Sequence, residues 1–372
     1  MPEEKGFDAQ AVAEDYQKLL KFLAATPRFQ ERREAVRKRM APTPRHEVYR
    51  EHSVTLFHYN RETEASVPLP MLIVPSLVNM PCIMDLVRGE SFIQAMLDRG
   101  FDVYMLEWGE PTPGQKRKDL EFYLRTYLGR AIRRIVRATG AEGVNLAGYC
   151  LGGTMALLYA ALDGREKGQV KNLVTMVGPV NFEDSGLLSW WSREEHFDVD
   201  KVVEAYGNMP ADFFSRSFPW LVPTANLAKA RMVFDRHEDE AFMESFLALD
   251  IWGTENTPFP GEVYREFIKR GYQQNVLVKE GAWPMPGGAA RLADIQAPIL
   301  NLSGQYDHIC PFQSCMKLQE LLPEHPDCTS KTYPAGHLGI ALGKTIAGAA
   351  TTEYWDEVAD WLKARSPASE PA

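Results

Sequence analysis

Gly148-Tyr149-Cys150-Leu151-Gly152-Gly153 is the stretch of sequence that decides the fold of this chain. The apolar run 143–147 before it is typical of a buried strand, and the run 154–162 after it is typical of a helix. A sharp turn between strand and helix holds a nucleophilic side chain in a strained conformation at the end of a sheet. Gly148 and Gly152 are needed there because a Cβ atom would collide where strand and helix cross. The pattern predicts that Cys150 is a nucleophile at a helix N-terminus, where the helix dipole favours a thiolate.

Two residues downstream complete the order nucleophile, acid, histidine that the α/β-hydrolase fold uses. Asp307 follows the apolar run 297–304, which is typical of a late strand. His337 follows another predicted strand end and has small neighbours that leave its imidazole free. We therefore predict that His337 takes the proton from Cys150, that Asp307 orients His337, and that the reaction is acyl transfer through a cysteinyl thioester. The alternatives are a turn-forming Asp307, a surface-loop His337, and an inert buried cysteine in a glycine-rich turn.

The predicted oxyanion hole consists of two backbone N–H groups. One belongs to Leu151, the residue after the nucleophile, and the other to the loop that follows the early strand 72–74. Val78 is our choice in that loop, with Leu77 as its near alternative. His308 follows Asp307 in the sequence. It is interpreted either as a residue that supports the triad of Cys150, His337 and Asp307 or as a purely structural residue.

Composition and charge limit the class of protein. The 372 residues are 45% hydrophobic and 24% charged, as in an ordinary globular protein, and the net charge of −9 argues against nucleic acid as the main partner. The five cysteines are irregularly spaced, so neither a disulfide framework nor a metal site is expected, and a reducing cytoplasm is the expected location. The close pair Cys310 and Cys315 is expected to serve packing. The uncharged runs 65–84 and 143–162 are not expected to span a membrane. Prolines interrupt the first, and the second contains the glycines of the turn 148–153, the nucleophile elbow.

Strands alternate with helical patterns along the chain, which predicts an α/β-hydrolase fold: a mostly parallel sheet with helices on both faces and an inserted cap domain. The first strand is expected at 53–59, and a helix over about 7–40 is expected to end before Pro42 and Pro44. That helix is interpreted either as solvated and loosely packed or as a docking surface for another subunit. The predicted divisions are an N-terminal helical segment (1–45), a core (46–182 and 295–365) with a last helix at 354–364, a cap (183–294) and a disordered tail (366–372).

The predicted cap is rich in aromatic residues. This content suits an apolar substrate channel or a contact surface, and the alternative for each residue is packing inside the cap itself. Its tryptophans are Trp190, Trp191, Trp220, Trp252 and Trp283.

With these motifs placed, the chain resembles the catalytic subunit of class III polyhydroxyalkanoate synthases over about residues 50–365. The length of the N-terminal region is similar to that of classes III and IV. The resemblance rests on the segments 75–79, 107–109, 144–153, 172–177, 306–308 and 336–340.

The resemblance implies polymerisation of (R)-3-hydroxyacyl groups, with short-chain 3-hydroxybutyryl-CoA expected, from coenzyme A thioesters with release of CoA. It implies no cofactor beyond this substrate and no metal. It also implies a second, non-catalytic subunit, homodimerisation, and a cytoplasmic location at the surface of polyester granules. His337 is the expected base that activates the hydroxyl group during elongation, and the resemblance also implies Asp307 for this step. The competing hypotheses are a cysteine-dependent thioesterase or lactone hydrolase of the same fold, and a degenerate hydrolase that serves as a binding subunit.

Overall fold

The computed structural model describes residues 9–62, 64–345, 351 and 353–366. Within these residues, the central sheet has eight strands: β1 (Arg45–Glu51), β2 (Val54–Tyr59), β3 (Met71–Val74), β4 (Val103–Glu107), β5 (Val144–Tyr149), β6 (Val170–Met176), β7 (Ile299–Gly304) and β8 (Cys328–Tyr333). Their order is β1-β2-β4-β3-β5-β6-β7-β8. β2 runs antiparallel to both its neighbours, and the other neighbouring strands are parallel. The predicted mostly parallel sheet is confirmed.

The inner strands are apolar because helices cover both faces of the sheet. Every residue of β3, β5 and β7 is buried. β1 was not predicted. It lies at the edge of the sheet, and its sequence is mostly charged and half-exposed. An edge strand with one neighbour does not need the apolar run that marks an inner strand.

Sixteen α-helices lie within the described residues. In chain order they are α1 (Ala9–Ala25), α2 (Phe29–Arg37), α3 (Phe92–Asp98), α4 (Leu120–Phe122), α5 (Gly129–Thr139), α6 (Leu151–Glu166), α7 (Gly186–Trp191), α8 (Val199–Tyr206), α9 (Ala211–Ser217), α10 (Thr224–Arg236), α11 (Glu240–Thr254), α12 (Gly261–Glu266), α13 (Val276–Glu280), α14 (Phe312–Leu321), α15 (His337–Leu342) and α16 (Glu353–Ala364). Two π-helical segments continue α4 and α12, at Tyr123–Leu128 and Phe267–Gln273.

Alternate residues of each inner strand enter two different apolar clusters. Leu72 and Val74 of β3 pack with side chains of α5 and α6. Met71 and Ile73, which point the other way, pack with side chains of α3, α15 and α16. The sheet therefore lies between two helical layers, as the alternating pattern predicted.

The predicted long N-terminal helix is two helices. A 3₁₀ turn at Thr26–Arg28 separates α1 from α2, and it contains Pro27, which has no N–H to donate to a continuous helix. Residues 7 and 8 of the predicted helix lie outside the described residues. α2 packs against α11, so this segment is docked on the predicted cap rather than loosely on the core.

Seven of the helices, α7 to α13, lie between β6 and β7 and fall inside the predicted cap range 183–294. They follow β6, which lies next to β5 in the sheet. Because β5 leads into the turn at Cys150, these helices begin near that residue.

The last predicted helix agrees with α16. The prediction of a disordered tail is wrong for Ser366, which is buried and whose hydroxyl donates to Asn145 Oδ1 at 3.4 Å. The rest of that tail, 367–372, lies outside the described residues. None of the helices in the described ranges is both long and apolar enough to cross a membrane.

Candidate active site

Cys150 lies at the turn between β5 and α6. Its backbone has φ 55° and ψ −130°, a conformation that a side chain other than glycine adopts only under strain. The Cys150 N–H donates to Met176 O at 2.9 Å, and its carbonyl accepts from Gly153 N at 2.8 Å. These bonds fix the strained turn, so the thiol is held at the carboxyl end of the sheet.

The glycines of the elbow are required by close backbone approach. A Cβ on Gly148 would lie 2.4 Å from Gly152 O, and one on Gly152 would lie 2.1 Å from Val74 O. Real Cβ atoms are not found this close to a backbone oxygen. The collision predicted at both positions is confirmed.

Asp307 lies in the loop after β7, and both of its carboxylate oxygens are held by hydrogen bonds. Oδ1 accepts from the N–H groups of Ile309 and Cys310, both at 2.8 Å. Oδ2 is 2.7 Å from His337 Nδ1. The Asp307 side chain has no exposed surface, so these three donors replace water around its charge.

His337 is the first residue of α15, and its imidazole is buried between Asp307 and the elbow. Burial lowers the pKa of the imidazole, but the charge of Asp307, the charge of Cys150 and hydrogen bonds to both outweigh burial and raise the pKa well above its usual value. The hydroxyl of Tyr149 donates to His337 O at 3.2 Å and holds the histidine backbone. The structure therefore brings together Cys150, His337 and Asp307 in the predicted order.

The two residues of the predicted oxyanion hole lie at the same cavity as Cys150. Leu151 is the first residue of α6, and both Leu151 and Val78 line the cavity. The Val78 N–H donates to Ser76 Oγ at 3.2 Å, a long bond that a developing oxyanion would have to replace. Their oxyanion role stays a prediction.

His308 does not join this group. Its side chain is exposed to solvent, and the neighbouring Ile309 and Cys310 line the cavity instead. Cys310 and Cys315 are both buried free cysteines, with their sulfur atoms 3.3 Å apart. Their contact agrees with the predicted packing role.

An apolar cavity of about 140 Å³ opens over Cys150. Most of its wall comes from the helices between β6 and β7. The aromatic wall residues are Trp191, Phe197, Phe213, Phe214, Phe218, Phe259, Tyr264, Phe267 and Tyr272.

Both interpretations of the cap aromatics apply, each to different residues. Trp191 lines the cavity, Trp252 and Trp283 are buried in the interior, and Trp190 and Trp220 are 49% and 64% exposed. The sequence marked this region by its aromatic density alone, so the individual wall residues outside the tryptophans were not predicted. Which side an aromatic residue faces depends on how the short cap helices pack, and local sequence does not encode this.

The arrangement can deprotonate the thiol, attack a carbonyl carbon and hold the acyl group in a water-poor cavity. Among the residues that the structure describes, no group of three or more His, Cys, Asp or Glu side chains could hold a metal ion.

Known proteins are similar to this chain in sequence and in fold. A family profile described as "alpha/beta hydrolase fold" matches residues 70–343, and one described as "Poly-beta-hydroxybutyrate polymerase (PhaC) N-terminus" matches residues 9–96. Among solved structures, the chain is similar to a monoacylglycerol lipase from Paleococcus ferrophilus, with a TM-score of 0.50, 17% identity and coverage of 85% of this chain and 100% of that chain. A likeness at this identity supports the fold alone.

Curated relatives are closer in sequence. The chain is 36% identical to the poly(3-hydroxyalkanoate) polymerase subunit PhaC of Synechocystis sp., over 87% of this chain and 85% of the relative. It is 33% identical to the subunit of the same name from Allochromatium vinosum, over 87% and 89%. It is also 33% identical to the one from Haloferax mediterranei, and there it spans 64% of the relative's length.

Proposed function

This chain belongs to the poly(3-hydroxyalkanoate) polymerase family of acyltransferases, and we propose that it polymerises (R)-3-hydroxyacyl-CoA, with 3-hydroxybutyryl-CoA as the expected substrate, and releases CoA. The observation that carries the proposal is the placement of Cys150. It lies on a strained elbow at the floor of an apolar cavity, with the buried pair His337 and Asp307 beside it.

In the acylation step, His337 takes the proton of the Cys150 thiol and the thiolate attacks the thioester carbonyl. The N–H groups of Leu151 and Val78 stabilise the oxyanion. The C–S bond to CoA then breaks, and His337 returns the proton to the CoA sulfur. One thioester replaces another, so the acyl group stays activated, and no cofactor beyond the substrate takes part.

In the elongation step, the 3-hydroxyl of one unit attacks the acyl carbon of another, and a base must take the hydroxyl proton. The hydrogen bonds of Asp307 support His337 as this base. Both carboxylate oxygens are occupied, one by two backbone N–H groups and the other by His337. If Asp307 only orients His337, Asp307→Asn slows acylation and elongation by the same factor in single-turnover assays. A loss confined to elongation would make Asp307 the base.

The alternative activity, hydrolysis of the acyl-enzyme by a thioesterase or lactone hydrolase, would use the same triad. The apolar wall supports the polymerase, because a cavity lined by aromatic side chains gives water few partners.

The test is the fate of the acyl group after (R)-3-hydroxybutyryl-CoA is incubated with the purified protein. High-molecular-weight polyester formed as CoA is released is the expected result, and free 3-hydroxybutyrate in proportion to CoA would establish a thioesterase. Cys150→Ala is the control. It should fold normally and carry no acyl group, and an acylated alanine variant would overturn the role of Cys150.

We further propose that the chain acts with a second, non-catalytic subunit, forms homodimers and binds the surface of polyester granules in the cytoplasm. Exposed apolar side chains support a binding surface, since such groups favour burial. They include Tyr16, Leu20 and Leu23 on α1, and Trp220 and Leu227 in the cap. Light scattering coupled to size exclusion, with and without the partner subunit, measures both assemblies.

A further inference from the structure

Tyr272 is a polar residue in the apolar cavity that the mechanism above does not use. It lines the cavity together with Cys150. In the part of the chain that the structure describes, its hydroxyl forms no hydrogen bond, although most of the residue is buried. The hydroxyl keeps accessible surface and has no protein partner among those residues, so it is free to donate to an acceptor on a ligand that occupies the cavity.

The position of Tyr272 is fixed by its neighbours. It belongs to the π-helical segment Phe267–Gln273, a local geometry that is frequent at functional sites. Its ring packs edge-on against Phe182, with the ring centres 5.0 Å apart. The adjacent Gln273 donates to Ser192 O at 3.0 Å and to Phe197 O at 3.1 Å. The phenol is thus held in place while its hydroxyl stays available.

The hydroxyl can act as a donor and not as a base. Burial raises the pKa of Tyr272, and the nearby sulfur atoms of Cys310 and Cys150 raise it further. The phenol therefore keeps its proton at every pH at which the enzyme would work.

Tyr264 offers a comparison within the same cavity. It also lines the wall, and burial alone raises the pKa of its phenol, with no contribution from Cys150. The charge on Cys150 raises the pKa of Tyr272 and not that of Tyr264, so of these two wall tyrosines Tyr272 is the nearer to the sulfur.

We propose that the Tyr272 hydroxyl donates a hydrogen bond to the 3-oxygen of the acyl group at Cys150, and that it thereby selects 3-hydroxyacyl thioesters over unsubstituted ones. This inference rests on the proposed function, because it assumes that Cys150 carries the acyl group. A site built to pair with a substrate hydroxyl discriminates against an analogue that lacks it, because the protein group is then left unpaired.

The test compares Tyr272→Phe with the wild type in single-turnover acylation of Cys150, using (R)-3-hydroxybutyryl-CoA and butyryl-CoA and detecting the acylated peptide by mass spectrometry. We expect the variant to lose about tenfold in acylation efficiency with the hydroxyacyl thioester and less than twofold with butyryl-CoA. Circular dichroism confirms that the variant is folded.

Tyr264→Phe is the matched variant, since it removes a hydroxyl from the same wall. We expect it to change both substrates by the same factor. Equal losses with both substrates in Tyr272→Phe, or no loss with either, would overturn the inference and leave the proposed function intact. If the wild type is acylated by neither thioester, the proposed function fails and this inference fails with it.

Discussion

The buried pair of Asp307 and His337 lies beside Cys150 and sets the electrostatic environment of its thiol. Asp307 raises the pKa of His337, so the imidazolium that accompanies a Cys150 thiolate is stabilised. Asp307→Asn removes that charge and lowers the pKa of His337. We expect alkylation of Cys150 by iodoacetamide at pH 7 to slow by about tenfold, because the imidazolium that stabilises the thiolate is weakened.

The rate is measured on the Cys150 peptide by mass spectrometry. Cys328, which is partly exposed and lies at the start of β8, is the internal control and should react at the same rate in both proteins. An unchanged rate at Cys150 would mean that its reactivity comes from the helix N-terminus alone.

A second prediction at this scale concerns the elbow glycines. In Gly152→Ala the new Cβ would lie 2.1 Å from Val74 O and 2.6 Å from Pro75 O, both backbone atoms that cannot move independently. We expect a loss of about 3 kcal/mol in the free energy of unfolding, measured by urea denaturation. Gly253→Ala is the control. Gly253 lies in α11 with open space around it, and alanine there should raise stability by about 0.5–1 kcal/mol.

The placement of the elbow and of Cys150, Asp307 and His337 could be predicted because the chemistry expected of them constrains the sequence. A turn that brings Gly152 against β3 excludes other residues, and a nucleophile needs an acid and a histidine at later strand ends. Tyr272 could not be predicted in this way. Its place near Cys150 follows from how the helices between β6 and β7 fold over the sheet, and no neighbouring residue in the sequence marks it.

Elements differ in how strongly their surroundings constrain their sequence. β5 and β7 are buried on both faces, so they are continuous apolar runs and were predicted to within two residues at each end. β1 has one neighbour and a solvated face, and its charged sequence is compatible with a loop as well as a strand. The break at Pro27 was missed, although a proline inside a helical pattern interrupts the hydrogen bonding of a helix.

Ion pairs connect the N-terminal helices to the cap helices. Arg37 forms two hydrogen bonds with Glu255, and Arg33 pairs with Asp250 at 3.2 Å. These side chains are partly exposed, so solvent weakens each pair. We expect Arg37→Ala to lower the free energy of unfolding by about 0.5–1 kcal/mol at low salt, and by less at 1 M salt.

A double-mutant cycle with Glu255→Ala isolates the coupling between the two side chains. Arg216→Ala is the comparison, because Arg216 forms a solvent-exposed pair with Asp212 within one cap helix. It should lower the free energy of unfolding by less than Arg37→Ala does. A loss in Arg37→Ala that is the same at low and high salt would show that the arginine acts by packing and not by charge.

At the scale of the whole molecule, the candidate active site is divided between two parts of the chain. The sheet positions Cys150, His337 and Asp307, and the helices between β6 and β7 supply most of the cavity wall. The sequence indicated both parts, but not the contact between them. Trp190 and Trp191 illustrate the reason. They are adjacent and chemically the same, yet Trp191 lines the cavity and Trp190 is half-exposed beside His196.

This adjacent pair tests whether the cap wall protects the acyl-enzyme from water. Trp191→Ala opens the wall above Cys150, so water should compete better with the 3-hydroxyl for the acyl group. We expect the ratio of free 3-hydroxybutyrate to polyester to rise several-fold, while Trp190→Ala, which removes the same side chain from the outer surface, keeps the wild-type ratio. The ratio is measured by chromatography of both products at equal CoA release, so a general loss of activity does not affect it. If the two variants give the same ratio, the wall does not control access of water, and the preference for polymerisation must come from the binding of the growing chain.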